Sequence, residues 1–187
     1  PLKMLQTEQI EFTPLLPKTK REVIKKAEIW SGLKAFFEFS KPFYKKDFVF
    51  DVQPKTDGEK LYYDATLGQQ TDRHVLGFFV VGKPAQDYIQ RTGDELKAFM
   101  LNELDRIYGG QASKHYLKHL CQNWDDEPFI KGAYLSDYAD WKTVKILGEP
   151  VSKQLYFAGG AFTNGEDWVS VHTAAQSAKE AVRALIP

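Results

Sequence analysis

The longest apolar run of the chain is VLGFFVV, residues 75–81. It is far shorter than the roughly 20 residues that a membrane-spanning helix needs, and it contains a glycine. Its β-branched and aromatic residues predict a buried strand over 74–81. Three similar runs precede it, and turn-rich pieces such as GQQTDR separate them. Four consecutive strands with short connections predict an antiparallel meander. The other three runs are KAFFEF at 34–39, FVFDV at 48–52 and LYYDATL at 61–67.

Helical spacing appears on both sides of these strands. After Pro17, Val23, Ile24 and Ala27 stand among lysines, which predicts an amphipathic helix that ends near Gly32. Apolar residues recur at helical spacing over 94–108, and two glycines follow as a stop signal. These patterns give an α+β fold class, an antiparallel or mixed sheet flanked by helices. Further predictions are a short helix at 84–90, a strand rather than a helix at 116–124, a strand at 153–158 and a helix from about 170 to 186.

The composition limits the partners. Lys plus Arg equal Asp plus Glu at 25 each, so no net charge favours binding to nucleic acid or an anionic membrane. We expect neither partner, and a small organic molecule or a protein instead. Cys121 is the only cysteine, which excludes an intrachain disulfide and permits a reducing compartment, so we expect a cytoplasmic protein. The start PLKMLQ has no signal-peptide pattern and no initiator Met, which suggests a chain that begins inside a larger one.

The segment LYFAGGAFTNGEDWVSVHTAAQSAKEAVRAL, residues 155–185, resembles the C-terminal signature of the flavin amine oxidases. In that signature Phe-Ala-Gly-Glu is followed by a loop, Val-His-Gly-Ala and a helix. Three positions depart from the pattern: Gly160, Thr173 and Ala178. A helix that starts near residue 170 also directs backbone N–H groups and a positive dipole end outward, which suits the electron-rich edge of a flavin. The matching residues are Phe157, Ala158, Gly159, Val171, His172, Ala174 and Ser177.

A second segment, NWDDEPFIKGAY at 123–134, is similar to another stretch of the same family. The resemblance implies that Tyr134 is one wall of an aromatic cage that confines the amine. The preceding position, which carries the covalent flavin in monoamine oxidases, is Ala133, so the resemblance implies FAD held noncovalently. The other cage wall maps to Ser170, which has no ring.

The first 44 residues resemble a third family stretch, in which a helix is followed by a lysine that heads a strand. In this register Lys34 corresponds to the lysine that holds a water against the flavin. A partly buried ammonium at this place would support reoxidation of the flavin by oxygen.

The resemblance implies a domain division and a partner. Residues 1–150 would form the substrate-binding-type α+β domain, and 151–187 a strand-loop-helix that belongs to the FAD-binding domain. The Gly-x-Gly-x-x-Gly loop of that domain does not occur in this sequence. The implied partners are a small-molecule amine, the chain's own N-terminal FAD-binding domain and possibly a second copy. The implied site residues are Lys34 and Tyr134 for catalysis, Tyr134 and Ser170 for substrate, and Ala158, Gly159, Gly160, Ser170, Val171, His172 and Thr173 for FAD.

Other readings stay open. His115 and His119 are four residues apart, but no zinc-protease pattern surrounds them, so we expect no metal. The missing Glu at Gly160 and the missing ring at Ser170 would allow a noncatalytic interaction or dimerisation module that keeps the fold. A related flavin enzyme, such as a protoporphyrinogen oxidase or a carotenoid desaturase, is a third reading, against which Lys34 argues mildly.

Overall fold

The computed structural model describes residues 1–45, 50–51 and 57–186. The chain forms two compact units, which we call the terminal unit, Pro1–Trp30 with Asp126–Pro187, and the sheet unit, Ser31–Asp125. In chain order the helices are α1 Leu2–Gln6, α2 Lys18–Lys26, α3 Gln86–Ile89, α4 Gly93–Tyr108, α5 Gln111–His115, α6 Trp141–Gly148 and α7 Val171–Leu185, and the strands are β1 Gly32–Phe39, β2 Phe50–Asp51, β3 Gly58–Asp64, β4 His74–Gly82 and β5 Tyr116–Asn123.

The sheet unit contains a five-stranded antiparallel sheet with the order β2-β3-β4-β1-β5. The α+β prediction is therefore confirmed, but the meander is wrong in part. Only β2, β3 and β4 follow one another, whereas β1 lies between β4 and β5. The core-facing residues of β1, among them Ala35 and Phe37, are almost fully buried. A central position buries such a strand better than the sheet edge to which a meander would assign it.

The individual strands and helices agree with the sequence patterns in most places. The helix at 94–108 is α4, and Gly109 ends it with a left-handed backbone. The strand at 116–124 is β5. The run at 61–67 forms a strand only to Asp64, because the carboxylate of Asp64 accepts hydrogen bonds from the N–H and hydroxyl of Thr66 and turns the chain. Of the predicted strand at 48–52, only residues 50–51 lie within the described residues. The segment 84–90 forms a 3-10 turn, Lys83–Ala85, followed by α3.

The core of the sheet unit lies between one face of the sheet and α4. Met100 and Leu104 of α4 are fully buried against Phe37 and Phe78 of the sheet. The opposite face of β1, which carries Lys34, is left outside this core.

The terminal unit corrects two predictions. Helix α2 ends at Lys26 rather than near Gly32, because Ala27 is already extended and Ile29 pairs with Leu135. The predicted strand at 153–158 does not form. Positive φ values at Ser152 and Lys153 close a tight turn instead, and only a single bridge from Val151 to Leu155 remains.

The compact units divide after residues 30 and 125, and not at residue 150. The functional division into 1–150 and 151–187 stays a prediction. Within the part of the chain that the structure describes, no helix has the length and apolar character needed to span a bilayer.

Candidate functional site

A cavity of about 350 Å³ lies in the terminal unit at the N-terminal end of α7. Its lining is largely apolar and includes Leu135, Phe162 and Val169. His172 and Thr173 belong to the same helical turn but do not line the cavity. Lys34 belongs to the sheet unit and is described separately. The predicted site residues that the cavity brings together are Tyr134, Ala158, Gly159, Gly160, Ser170 and Val171.

The start of α7 is capped by its own residues. Ser170 is the N-cap, with an extended backbone. Its N–H donates to the Thr173 hydroxyl at 3.1 Å, and that hydroxyl donates to the Ser170 carbonyl at 2.8 Å. The structure describes every residue of the first turn, and none of them has an acidic side chain. The dipole of the helix is therefore not neutralised from within, and the turn favours an electron-rich group in front of it.

The glycines of the cavity wall differ in the conformation they need. Gly159 has a φ of 138°, which L side chains rarely adopt, and its N–H donates to the Ser177 hydroxyl of α7. The carbonyl of Gly160 accepts from Val169 N–H at 2.9 Å. A Cβ on Gly160 would lie 3.4 Å from the Val169 Cα, which is an ordinary contact. A Cβ at residue 160 would therefore be accommodated.

The other wall of the cavity is formed by the segment around Tyr134. This tyrosine is half-buried, and its ring centroid lies 6.0 Å from that of Trp30. Ala133 lines the same wall.

Of the ionisable groups near the start of α7, the sequence predicted a site role for His172. His172 Nε2 lies 3.3 Å from the Asp167 carboxylate. Burial, together with the charge of Asp167, raises the pKa of Asp137. These contacts join residues across a loop, so no local pattern announces them.

Lys34 lies on the open face of the sheet unit. It pairs with Phe79 of β4 and Gln122 of β5, and its Nζ lies 5.5 Å from the centroid of the Phe79 ring. Its side chain is exposed, which corrects the expectation of a partly buried ammonium. A strand places alternate residues on opposite faces, so Lys34 shares this face with Phe36.

The open face also carries an aromatic pair that the sequence reading missed. A Cβ on Gly77 would lie 2.4 Å from the Tyr63 ring, so the ring occupies the space above this glycine. The Phe36 ring meets Tyr63 edge to face at 6.5 Å. A glycine inside a strand was the available signal, since it often marks a close approach.

Lys20 is a further residue of the terminal unit that the sequence left without a role. Its ammonium is buried and donates to the carbonyls of Ile146, Leu147 and Glu149, each at 2.7 Å. It also lies 4.1 Å from the centroid of the Phe157 ring. Burial lowers the pKa of Lys20 to about 8, against a smaller opposing effect of Glu149. Lys20 thereby joins the end of α6 to the residue that precedes Ala158.

The described residues contain no group of three His, Cys, Asp or Glu side chains that could hold a metal ion. His115 ends α5, where its Nδ1 lies 3.0 Å from the Ser40 hydroxyl. His119 lies in β5, with Nδ1 2.7 Å from the Tyr116 hydroxyl.

A family model described as flavin containing amine oxidoreductase matches residues 1–186. The chain belongs to this family. Among its curated relatives, the Arabidopsis thaliana lysine-specific histone demethylase 1 homolog 3 is 29% identical over 86% of this chain and 10% of its own length. The Arabidopsis probable polyamine oxidase 4 is 27% identical over 93% of the chain and 34% of its length. The flavin-containing amine oxidase B of Canis lupus familiaris is 24% identical over 81% and 30%. The chain thus spans about a third or less of these relatives.

Solved structures of the flavin amine oxidoreductases share the fold. A wild-type putrescine oxidase bound to putrescine superposes with a TM-score of 0.72 at 18% identity, over 98% of this chain and 41% of its own. The cyclohexylamine oxidase of Brevibacterium oxydans does so with a TM-score of 0.63 at 20% identity, over 94% and 41%. The predicted amine-oxidase fold is confirmed.

Proposed function

We propose that this chain is the substrate- and flavin-facing part of an FAD-dependent amine oxidase and needs an FAD-binding part to act. The observation that carries the proposal is the cavity at the start of α7. It unites Tyr134, the segment 158–160 and Ser170, which stand far apart in the sequence. All three family-like motif regions contribute to the lining of this cavity, although Lys34, the proposed site residue of the first region, lies in the sheet unit.

The residues of the cavity fit the flat ring of a flavin. The wall at Gly159 and Gly160 carries no side chain, and the first turn of α7 has no acidic group. Backbone N–H groups at a helix start stabilise electron-rich atoms. Ala158, Gly159 and Gly160 would hold one side of FAD, and Ser170 to Thr173 would hold the other. The methyl group of Ala133 supports noncovalent binding.

When bound, FAD supplies the oxidation, in which a hydride leaves the carbon that bears the amine and an imine remains for hydrolysis by water. The ring of Tyr134 would confine the amine and orient its C–H bond. Ser170, at the other wall, adds a small polar side chain and leaves room that a second ring would fill. The chain's contribution is alignment and exclusion of water.

Lys34 would hold a water and supply a positive charge for the reaction with oxygen. Its exposed ammonium stands on a sheet face with Phe36 and Phe79, which supports an aromatic surface for the substrate beside a cation. The proposal requires the assembled protein to bring this face to the flavin.

Exposed apolar side chains on α7 support the proposal that another protein part covers this helix. Val171, Val182 and Leu185 are 90%, 55% and 56% exposed. Such apolar helix surfaces are normally covered in a folded protein. The proposed cover is the chain's own N-terminal FAD-binding domain, and a homodimer is the alternative.

A noncatalytic interaction module is the second candidate. Gly160 stands where the family has Glu, and Ser170 supplies no ring at the second cage wall. These losses would not impair a protein that uses the fold for binding alone.

Reconstitution distinguishes the two candidates. The chain is mixed with FAD and a separately produced FAD-binding part from the family, and amines such as putrescine, spermidine and benzylamine are added without oxygen. A yellow complex whose visible flavin bands are bleached by an amine supports the enzyme. A complex that forms without colour, or whose bands no amine changes, supports the noncatalytic module. Tyr134→Leu removes the ring proposed to confine the amine, and Tyr138→Leu, which removes an exposed ring outside the cavity lining, is its control.

A further inference from the structure

Trp30 of the terminal unit buries a hydrogen-bond donor without an acceptor. It is 4% exposed, and its indole Nε1 has no partner among the described residues. Leaving a buried donor unpaired costs free energy, and a leucine or phenylalanine would avoid that cost. The large ring must therefore contribute something that a smaller apolar side chain does not.

The backbone of Trp30 is fastened to the segment that carries Tyr134. Trp30 N–H donates to the Tyr134 carbonyl at 2.9 Å, and Ala133 N–H donates to the Trp30 carbonyl at 2.7 Å. Gly132 makes the close approach possible, because a Cβ there would lie 2.9 Å from Ile29 Cγ2 and 3.3 Å from the Trp30 carbonyl. The two segments thus run side by side in a fixed register.

The indole lies against two tyrosine rings. Its centroid is 6.0 Å from that of Tyr134, with the planes at 51°, and 5.8 Å from that of Tyr138, with the planes at 69°. Tyr134 lines the cavity, whereas Trp30 does not. The indole ring of Trp30 therefore reaches the cavity through the ring of Tyr134.

We propose that Trp30 is a positioning residue that fixes the ring of Tyr134 at the cavity wall. Its consequence for amine binding rests on the proposed function, but the positioning itself does not. With the indole in place the Tyr134 ring presents one surface to the cavity, and without it the ring has space to rotate away.

The first test uses the chain alone, with 13C-labelled tyrosine and NMR. The ring signals of Tyr134 are assigned with Tyr134→Phe. In Trp30→Leu we expect these signals to move towards those of free tyrosine, because the adjacent indole is gone, and in Trp30→Phe to stay displaced. Trp141→Leu, which removes an exposed tryptophan, should leave them unchanged. Tyr134 signals that do not move in Trp30→Leu overturn the proposal. If that variant fails to fold, Trp30→Met takes its place.

The second test uses the reconstituted enzyme. Trp30→Leu should raise KM for the amine about tenfold while kcat stays within about threefold, and this effect should vanish when Tyr134 is already leucine. Equal effects of Trp30→Leu in both backgrounds overturn the proposal, because Trp30 would then act independently of Tyr134. An absence of turnover in the wild-type complex contradicts the proposed function instead, and the NMR result still decides the role of Trp30.

Discussion

The backbone N–H of Gly159 donates a 2.8 Å hydrogen bond to the hydroxyl of Ser177, and that hydroxyl returns a 3.3 Å hydrogen bond to the Gly159 carbonyl. Ser177 is a buried residue of α7 that lies between one and two turns after the start of the helix, whereas Gly159 lines the cavity. This pair fixes the distance between the loop and the helix on which the proposed flavin site depends.

Removing the hydroxyl should loosen this junction. We expect Ser177→Ala to lower the free energy of unfolding by about 1–3 kcal/mol, because the Gly159 N–H is left without an acceptor. Urea unfolding followed by circular dichroism provides the measurement. Gln176→Ala, which removes an exposed hydrogen bond to Glu180 on the same helix, should change it by less than about 0.5 kcal/mol. Equal effects of the two substitutions would show that the Ser177 contact is not stabilising.

The two glycines of the cavity wall should respond differently to alanine. Gly159→Ala places an L residue at a φ of 138° and should cost about 1–3 kcal/mol. Gly160→Ala should be tolerated within about 0.5 kcal/mol, because its Cβ meets only an ordinary contact. Thermal unfolding of both variants checks the order. A larger loss for Gly160→Ala than for Gly159→Ala contradicts the geometry described for this wall.

The stability contributed by Lys20 should depend on pH in a known direction. Burial lowers its pKa from 10.5 to about 8 in the folded protein. Between these values the unfolded chain holds a proton that the folded protein has released, so the free energy of unfolding rises with pH. We expect the free energy of unfolding of wild type minus that of Lys20→Met to increase as the pH is raised from about 8 towards 10.5.

The same series needs a control for the other titrating groups. Lys18→Met removes an exposed lysine from α2, and its difference from wild type should remain within about 0.5 kcal/mol throughout. A wild-type minus Lys20→Met free energy of unfolding that stays constant or decreases between about pH 8 and 10.5 would contradict the lowered pKa of Lys20.

The sheet unit depends on a buried ion pair. Lys60 Nζ lies 3.0 Å from the Glu103 carboxylate, which also accepts hydrogen bonds from the hydroxyls of Tyr62 and Tyr88. Glu103→Gln leaves the ammonium without its counter-charge and should cost about 3–5 kcal/mol. In urea unfolding, Glu95→Gln, which changes an exposed carboxylate of the same helix that pairs with Arg91, should cost less than about 0.5 kcal/mol. Equal midpoints would mean that the buried pair contributes nothing.

The sequence predicted elements whose signals are local. Helix α4 has five apolar residues at helical spacing and a glycine stop, and α7 begins close to the predicted residue 170. Strand β5 was also anticipated. The order of the strands was not anticipated. Strand β1 pairs with β4 and β5, which lie far along the chain, and the segments that connect these strands do not show which of them will be neighbours. Helix α6 was missed, although Asp140 at its N-cap accepts hydrogen bonds from two backbone N–H groups.

The predicted site shows the same contrast between residues that belong to local motifs and residues that act through distant contacts. Tyr134, Ser170 and the segment 158–160 were found through family-like motifs, and they lie together at one cavity. Trp30 and Lys20 act through contacts across the fold, with carbonyls and rings that no local pattern specifies. Their roles could be inferred only once the chain segments were placed beside each other.

The central claim is that a flavin ring occupies the cavity between Tyr134 and the start of α7. The most direct test is photolabelling of the reconstituted complex with an FAD that carries an azide at C8 of the flavin ring, followed by mass spectrometry of the peptides. The account predicts a label on the cavity-lining stretches 132–135, 158–162 or 169–174, which FAD in excess prevents. A label confined to other parts of this chain, or found only on the FAD-binding part, would contradict it.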